Sequence, residues 1–494
     1  MSTAPVKAGM APVTWRRVHP VTPVVKGWKM VAAILVIGAQ QAGNNVRDAE
    51  EALQTFGWGI FGAVLVGLGL LGFVYAFIAW RMTRYAIDDE LIYLQTGVVF
   101  RKQRSAPLDR IQAIDVVQPV LARILGLAEL KIEVAGGHDS AVRLSFLKED
   151  AAQALRNSLL ARAAGLDLGP DHQRQQAPAA PEREVLVVPV GRLVVSLLRS
   201  FVVVVPILAF AATVAVAWFS REVGAVFGIL PVFLGSAGYL WQRFSGEFHF
   251  RAAQSPDGVR LRHGLLEARA QTVPPGRVQA VRLTQPFLWR GKDWWRVQIN
   301  VAGYGKADEQ QTENVLLPVG ERSDALLALW LVLPDLGAQD PRGLLDAGLS
   351  GEAGDPRFVT SPRPARWLDP WAWHRNGYTI TDRALLVRRG RFNRELVVVP
   401  HARTQSLGVR QGPLQRRLGV ASVTLHSTPG PIRPLIAHLE ASAAGGLMVD
   451  QAARARQARA AAGPERWMLD LREQARASLR TDAPARLDLP IGPA

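Results

Sequence analysis

The chain has 494 residues, 49% of them apolar and 20% charged, with a formal net charge of +16. This length predicts about three domains of ~150 residues, and the positive balance favours partners such as nucleic acid, anionic lipid or acidic proteins. Cysteine is absent, which excludes a disulfide framework, a thiol nucleophile and zinc held by Cys.

The N-terminal part predicts a cytoplasmic segment, residues 1–27, followed by a transmembrane helical hairpin, residues 28–80. The stronger span, 56–80, holds no charged residue in 25 positions, whereas ~20 apolar residues suffice to cross the hydrocarbon core. The weaker span, 28–42, could lie in the interface instead. Basic residues precede 28–42 and also follow 56–80. Because positive flanks stay in the cytoplasm, we expect both spans to cross.

A second transmembrane hairpin is predicted at residues 193–242, with uncharged spans at 200–219 and 225–241. Only residues 220–224 separate these spans, so they must run antiparallel. The chain is therefore expected to be a multi-pass protein of the cell membrane, with its N-terminus and its later domains in the cytoplasm. No Asp, Glu, Lys or His lies deep in any of these spans, which disfavours a transport function.

Short patterns recur three times along the chain, and the clearest is a Pro-x-x-Arg-x-Gln signature. It stands at residues 107–112, 274–279 and 400–405, and a glycine precedes each signature Arg by 13 positions. Similarity at this spacing predicts duplicated domains. We assign them to residues 81–164, 243–336 and 371–449, with linkers at 165–192 and 337–370 and a basic helical tail at 450–494.

Each copy begins with short alternating segments that predict strands joined by turns. Further strands are predicted at residues 130–134, 297–301 and 422–426, and each copy is expected to end in a helix, at 148–164, 323–333 and 435–448. Several short antiparallel strands closed by one C-terminal helix indicate a small sandwich or barrel.

Several features together resemble one family: hairpins followed by domains, the Tyr-x-Ile openings at Tyr85 and Tyr378, the recurring glycine, the signature, and Leu-Gly-Leu at 125–127. The chain is similar to bacterial membrane proteins that carry pleckstrin-homology-like (PH-like) domains, over about residues 15–450. The resemblance implies an α+β membrane protein with two transmembrane hairpins and three cytoplasmic PH-like β-sandwiches, each closed by a C-terminal helix. The middle copy departs most, because residues 289–295 replace Leu-Gly-Leu.

The signature supplies the sharpest polar residues of the sequence. They are Arg110, Arg277 and Arg403 with Gln112, Gln279 and Gln405. One interpretation is contact with a ligand or an anion. The other is a structural bond to backbone carbonyls or to a carboxylate, and the presence of the same Arg in three diverged copies favours this structural role.

Basic clusters follow the turn glycine of the first and last copies. They are candidate contacts for anionic lipid, because each charge near the cytoplasmic leaflet contributes ~1 kcal/mol of attraction. The alternative is that they only solvate and protect exposed strands. The candidate residues are Arg101, Lys102, Arg104, Arg388, Arg389 and Arg391.

No catalytic residue, metal site or cofactor is predicted, because no His cluster has ligand spacing and no nucleophile motif occurs. The expected function is a non-enzymatic membrane scaffold whose PH-like domains bind lipid headgroups or protein partners; a homo-oligomer is left open. The alternative is an accessory subunit of a membrane enzyme or transporter complex. Nucleic acid is not expected, since no aromatic and basic platform repeats. The resemblance adds a role in envelope stress or in resistance to membrane-active agents.

Overall fold

A computed structural model of the chain describes residues 15–20, 22, 67, 70–88, 91–97, 101–107, 111–134, 142–163, 183–220, 228–255, 258–273, 276–302, 314–352, 354–428 and 430–461. The chain divides into two compact units. Unit 1 comprises residues 1–178 and 265–271, and unit 2 comprises residues 179–264 and 272–494.

Unit 1 contains the first copy of the repeat. Helix α1 (Leu70–Met82) precedes it. A four-stranded antiparallel sheet has the order β1 (Arg16–Arg17), β2 (Arg84–Ile87), β3 (Leu91–Thr96), β4 (Lys102–Pro107). A second antiparallel group consists of β5 (Ile111–Pro119), β6 (Leu127–Val134) and β7 (Val142–Lys148), with α2 (Val120–Ile124) after β5 and α3 (Glu149–Ala163) after β7. Ile92, Leu130 and Leu159 bring the two sheets and α3 into one apolar core.

A segment of the middle copy completes unit 1. Strand β11 (Glu267–Val273) pairs antiparallel with the outer edge of β5, and Ala270 stands opposite Val116. Residues 265–271 therefore belong to unit 1 although the rest of the middle copy does not.

Unit 2 begins with the elements around the second predicted hairpin. They are β8 (Arg183–Val187), α4 (Val190–Leu198), α5 (Phe201–Ser220), α6 (Leu230–Glu247), β9 (Arg251–Ser255) and β10 (Gly258–His263). Within the part of the chain that the structure describes, α5 is the one helix long and apolar enough to cross a membrane, and α1 is a shorter apolar helix. Phe210 of α5 meets Phe233 of α6 edge to face, with ring centroids 5.7 Å apart. Span 28–42 and most of 56–69 lie outside the described residues, so the two-hairpin topology stays a prediction.

The remaining strands of unit 2 form two antiparallel sheets. One has the order β14 (Val315–Glu321), β13 (Trp294–Val301), β12 (Val278–Gln285), β18 (Arg394–Pro400), β17 (Ala384–Arg389), β16 (Gly377–Ile380), β15 (Val359–Thr360). The other has the order β19 (Ser406–Arg410), β20 (Val420–His426), β21 (Leu435–Glu440). The helices are α7 (Arg322–Val332), α8 (Pro341–Ser350), α9 (Pro413–Arg417) and α10 (Ala441–Ala461), with 3₁₀ turns at Phe287–Lys292, Arg363–Trp367 and His401–Arg403.

The last copy has the same arrangement as the first: a leading strand and three further strands in one sheet, then three strands, then a helix. The signature is the connection between the two sheets. β4 ends at Pro107 and β18 ends at Pro400, and the chain then crosses to β5 and β19. The recurring glycines Gly97, Gly264 and Gly390 have φ of 109°, 111° and 77°. This conformation is accessible to Gly without steric cost. The predicted turns are confirmed at Gly264 and Gly390, whereas residues 98–100, which follow Gly97, lie outside the described residues.

The sequence-based elements are largely confirmed, with one correction. The predicted helix at 435–448 is wrong at its start, because β21 pairs with β20 and places Ile436 and Leu439 in the core. Tertiary pairing overrides the helix propensity of this Ala- and Leu-rich segment, and α10 follows at Ala441–Ala461. The segments predicted as linkers also contain regular elements: β8 lies in 165–192, and α8 and β15 lie in 337–370.

Candidate functional site

The signature glutamines of the middle and last copies do not play one identical role. Arg110 and the side chain of Gln112 lie outside the described residues. Gln279 is buried and its Nε2 donates to the carbonyl of Arg277, at 3.2 Å, whereas Gln405 is exposed. Arg277 and Arg403 are both half-buried.

The signatures of the middle and last copies meet. Nη2 of Arg403 lies against Gly276, 3.4 Å from where a Cβ would stand, and Gly276 has φ of 80°. A residue with a side chain at position 276 would strain the backbone, and its Cβ would contact the Arg403 guanidinium. This close approach lies where the two copies adjoin, which is compatible with the structural role predicted for Arg403.

The first basic cluster lies along an edge strand. Arg101 and Lys102 are exposed and Arg104 is half-buried. Lys102 and Arg104 belong to β4, which stands at the end of its sheet and is paired on one side with β3. The Arg101 and Lys102 side chains are thus exposed to solvent, and their contact with anionic lipid stays a prediction.

The second basic cluster is divided by the fold. Arg388 is fully buried, with 0% of its surface exposed. Its guanidinium donates to the carbonyls of Ala347 and Glu352, both at 3.2 Å, and lies 4.3 Å over the ring of Phe358. Burial lowers the pKa of Arg388, and Asp355 partly offsets this. Arg388 is therefore removed from the set of lipid candidates.

The other two members differ from Arg388. Arg389 is half-buried and pairs with Glu395, Nε to Oε2, at 2.5 Å. Arg391 is exposed in the turn between β17 and β18. Of this cluster, only Arg391 presents an exposed guanidinium without an ion pair among the described residues.

A second buried arginine, missed from the sequence, joins Arg388 at the C-terminus of α8. Arg375 donates to the carbonyl of Ser350 and to that of Leu349, at 2.9 Å. Helix C-termini leave carbonyls without partners and carry partial negative charge, so both arginines cap α8. Burial, with nearby Arg394 and Arg388, lowers the pKa of Arg375 to about 9.

The middle copy holds both ends of the α5–α6 helix pair. Before α5, the indole Nε1 of Trp289 donates to the carbonyl of Ser196 in α4 at 3.0 Å, in a buried setting. Arg192 of α4 pairs with Asp324 of α7 at 3.0 Å. Trp289 belongs to the segment that replaces Leu-Gly-Leu in this copy, so the departure from the repeat pattern serves to dock α4.

After α6, a buried ion-pair group attaches the helix to β13. Glu247, the last residue of α6, accepts through Oε1 from Arg296 at 2.7 Å and from Arg243 at 3.2 Å. Glu247 is 2% exposed. Burial lowers the pKa of Arg296, and the charge of Glu247 opposes that shift. We name Trp289, Ser196, Arg243, Glu247 and Arg296 the hairpin clamp.

Asp293 takes the place of the glycine in Leu-Gly-Leu. Gly126 and Gly419 have φ of 64° and 66° in the first and last copies, and Asp293 has φ of 48°. Its Oδ1 accepts from Gln285 at 2.7 Å and from Trp295 at 2.9 Å. A short acceptor side chain thus holds a left-handed conformation that is otherwise typical of Gly.

A buried polar network fixes α10 to the last copy. Nε2 of His401 lies 2.9 Å from the carbonyl of Thr381, and because a carbonyl can only accept, this nitrogen carries the proton. Nδ1 then accepts from Gln451 at 3.0 Å, and Gln451 also donates to the hydroxyl of Thr404 at 3.3 Å. Burial, as the largest cause, lowers the pKa of His401.

Comparison with known proteins agrees with this architecture. A family model described as bacterial PH domain matches residues 32–163, 192–329 and 353–460, which together cover more than half of the chain. The UPF0699 transmembrane protein YdbT of Bacillus subtilis (strain 168) is 29% identical over 106 residues, equal to 21% of this chain and 22% of that protein. The chain thus spans about a fifth of the length of this relative.

Proposed function

This chain belongs to the bacterial PH domain family, and on that premise we propose that it is a non-enzymatic membrane scaffold. The α5–α6 pair, with the first predicted hairpin, anchors the protein, and the N-terminus and the three PH-like copies lie in the cytoplasm. The copies bind lipid headgroups or protein partners. A relative named as a transmembrane protein supports the membrane part of the proposal.

The hairpin clamp is the observation that carries the proposal. Trp289 holds the helix that leads into α5, and Arg296 holds the residue that ends α6. Large apolar side chains at the other end of α5, Trp218 and Phe219, are 83% and 87% exposed. Such exposure in a chain with an apolar helix of spanning length suits a lipid environment. The clamp then keeps the middle copy next to the leaflet.

Lipid headgroup contact is proposed for the exposed basic residues alone, namely Arg101, Lys102 and Arg391. Their charges lie on an edge strand or in a turn, where long side chains can reach a surface. Attraction to anionic lipid decays over a Debye length, ~8 Å at physiological salt. Arg101 and Lys102 follow the predicted span 56–80 by about twenty residues, and Arg391 lies in the turn before β18, which pairs with β12 of the clamped middle copy. Both placements favour positions near the leaflet.

Membrane attachment and topology test the proposal in the full chain. The natural lack of cysteine allows a single Cys to be labelled without background. In intact cells, a membrane-impermeant maleimide should label Asn45→Cys, which lies outside the described residues, and should reach Arg391→Cys only after permeabilisation. The protein should also remain in the membrane after an alkaline wash. Release by the wash, or labelling of Arg391→Cys from outside, would refute the proposal.

The role in envelope stress or in resistance to membrane-active agents also stays a proposal. A strain that lacks this chain should be more sensitive to a pore-forming peptide than its parent. Sensitivity should be restored by the natural chain. Unchanged sensitivity under these conditions would contradict the role, and it would leave the membrane topology test unaffected.

A further inference from the structure

Neighbouring copies are joined by one repeated strand junction. In unit 1, Val116 of β5 stands opposite Ala270 of β11. In unit 2, Leu283 of β12 stands opposite Leu396 of β18. Val116 and Leu283 each follow their signature Pro by nine residues, and Ala270 and Leu396 each precede the next signature Pro by four. The two junctions therefore have the same register.

A turn contact accompanies each junction. Leu266 and Phe392 each stand two residues after the turn glycine of the incoming copy. The carbonyl of Leu266 accepts from the backbone N–H of Val120 at 2.8 Å. The ring of Phe392 packs edge to face on Phe287, with centroids 6.2 Å apart. Val120 and Phe287 are the residues that directly follow Pro119 and Pro286, so the hydrogen bond and the ring contact occupy equivalent positions in the repeat.

The last copy has the receiving half of this junction, and no strand of the described residues pairs with it. β19 ends its sheet and is paired only with β20 among the described residues. Val409 follows Pro400 by nine residues, as Val116 and Leu283 follow theirs. Those two are 7% and 0% exposed, whereas Val409 is 41% exposed. Leu414, which directly follows Pro413 and so matches Phe287, is 62% exposed.

We propose that this open edge, made of β19 and Leu414, binds the strand that leads into the signature Pro of a PH-like copy carried by another protein chain. The added strand would continue the three-stranded sheet in the register of β12 and β18, with main-chain hydrogen bonds providing affinity. The apolar residue two positions after its turn glycine would cover Leu414. This inference rests on the proposed scaffold function and deepens it by specifying the partner.

Charge selects the kind of strand that fits. In the β12–β18 junction, Glu395 of β18 stands opposite Thr284 of β12. Its carboxylate forms an ion pair with Arg282, which also belongs to β12, at 3.5 Å. The position of Thr284 corresponds to Arg410 in β19, which is exposed. The partner strand is therefore expected to carry an acidic residue five positions before its signature Pro, opposite Arg410.

A second copy of this chain does not meet that requirement. The strand of this chain that leads into a signature Pro and has one unpaired side among the described residues is β4. The same register would place Lys102 opposite Arg410, since Lys102 precedes Pro107 by five residues. Like charges directly opposite each other destabilise a strand pair. The open edge thus favours a separate PH-like chain over self-association.

Photo-crosslinking of the full chain in its host cells tests the inference. A benzophenone amino acid replaces Val409, and the matched control replaces Val359, an exposed valine of the edge strand β15. Irradiation should give an adduct at 409 and not at 359. Mass spectrometry should place the adduct four residues before the signature Pro of another PH-like chain. Arg410→Glu should reduce the yield several-fold, and Arg433→Glu, an equal charge change at an exposed position, should leave it unchanged.

Several results would overturn the inference: no adduct at 409, an adduct on β4 of a second copy or on residues of this chain's own tail, or equal effects of the two arginine variants. Folding is checked by the melting temperature of each purified variant. Alkaline washing of the same membranes reports on the proposed function separately. A membrane-resident protein without the 409 adduct refutes only the junction, whereas release from the membrane refutes the scaffold.

Discussion

Replacing Glu247 by Gln tests whether the hairpin clamp depends on a buried charge. Glu247 compensates two guanidiniums, Arg296 at 2.7 Å and Arg243 at 3.2 Å, whose side chains are 14% and 15% exposed. Removing one partner of a buried ion pair costs ~3–5 kcal/mol, because the remaining charge stays buried without compensation. Gln keeps a hydrogen-bonding oxygen, so we expect about 3 kcal/mol. At roughly 2–4 °C per kcal/mol for a large domain, the melting temperature should fall by about 6–12 °C.

The chain offers a matched control for this variant. Glu184 pairs with Arg251 at 3.0 Å, but both side chains are about half exposed. Exposed pairs contribute ~0–1 kcal/mol, so Glu184→Gln should leave the melting temperature almost unchanged. Both variants are measured by thermal unfolding of the detergent-solubilised full chain. Equal shifts for the two variants would refute the view that burial, and not pair distance, makes the clamp important.

Three further predictions concern unit 2. The lowered pKa of His401 means that the unfolded chain binds the proton more readily, so stability should be complete above pH ~6.5 and decline as pH falls through the folded-state pKa; His401→Gln should flatten this part of a melting-temperature profile, and an unchanged slope would contradict it. Asp293→Ala should cost ~1–3 kcal/mol through the loss of its two hydrogen bonds, with Asp293→Gly milder by up to ~1–2 kcal/mol because Gly relieves the left-handed backbone; thermal unfolding in which Gly is the worse substitution would refute this order. Arg388→Gln should lower the melting temperature, whereas Arg391→Gln should change the free energy of unfolding by no more than about 0.5 kcal/mol. Added anionic lipid should raise the melting temperature of the natural chain more than that of Arg391→Gln, and an equal rise would argue against a headgroup contact at Arg391.

The open edge and the first basic cluster have related positions in the repeat. β4 corresponds to β11 and β18, the strands that enter a junction, and β19 corresponds to β5 and β12, the strands that receive one. Arg101 and Lys102 therefore lie on the edge of a strand type that pairs with a neighbouring copy elsewhere in the chain. Their charge protects β4 from unspecific pairing, which is compatible with the proposed contact with anionic headgroups.

Some features of the protein are determined by the sequence alone. The three copies, their signature and their turn glycines recur at fixed spacing, and the span 200–219 is apolar throughout, so local pattern suffices to predict α5 and the β-rich copies. Gly97 and Gly390 predict turns because glycine, which lacks a Cβ, can adopt the positive φ that such turns need. Such features depend on neighbouring residues in the chain.

Other features were decided only by the tertiary structure, because they depend on segments distant in sequence. In the sequence, Arg388 looks like one of several exposed charges of a strand. In the structure α8 covers it, and its guanidinium donates to a carbonyl of that helix. The segment 435–448 has helical propensity, yet β20 draws its first residues into a sheet. The strand junction between copies pairs Val116 with Ala270 and Leu283 with Leu396. Main-chain hydrogen bonds between strands cannot be inferred from composition. The open edge at Val409 is therefore recognised only by comparison with the two junctions in which a strand is paired.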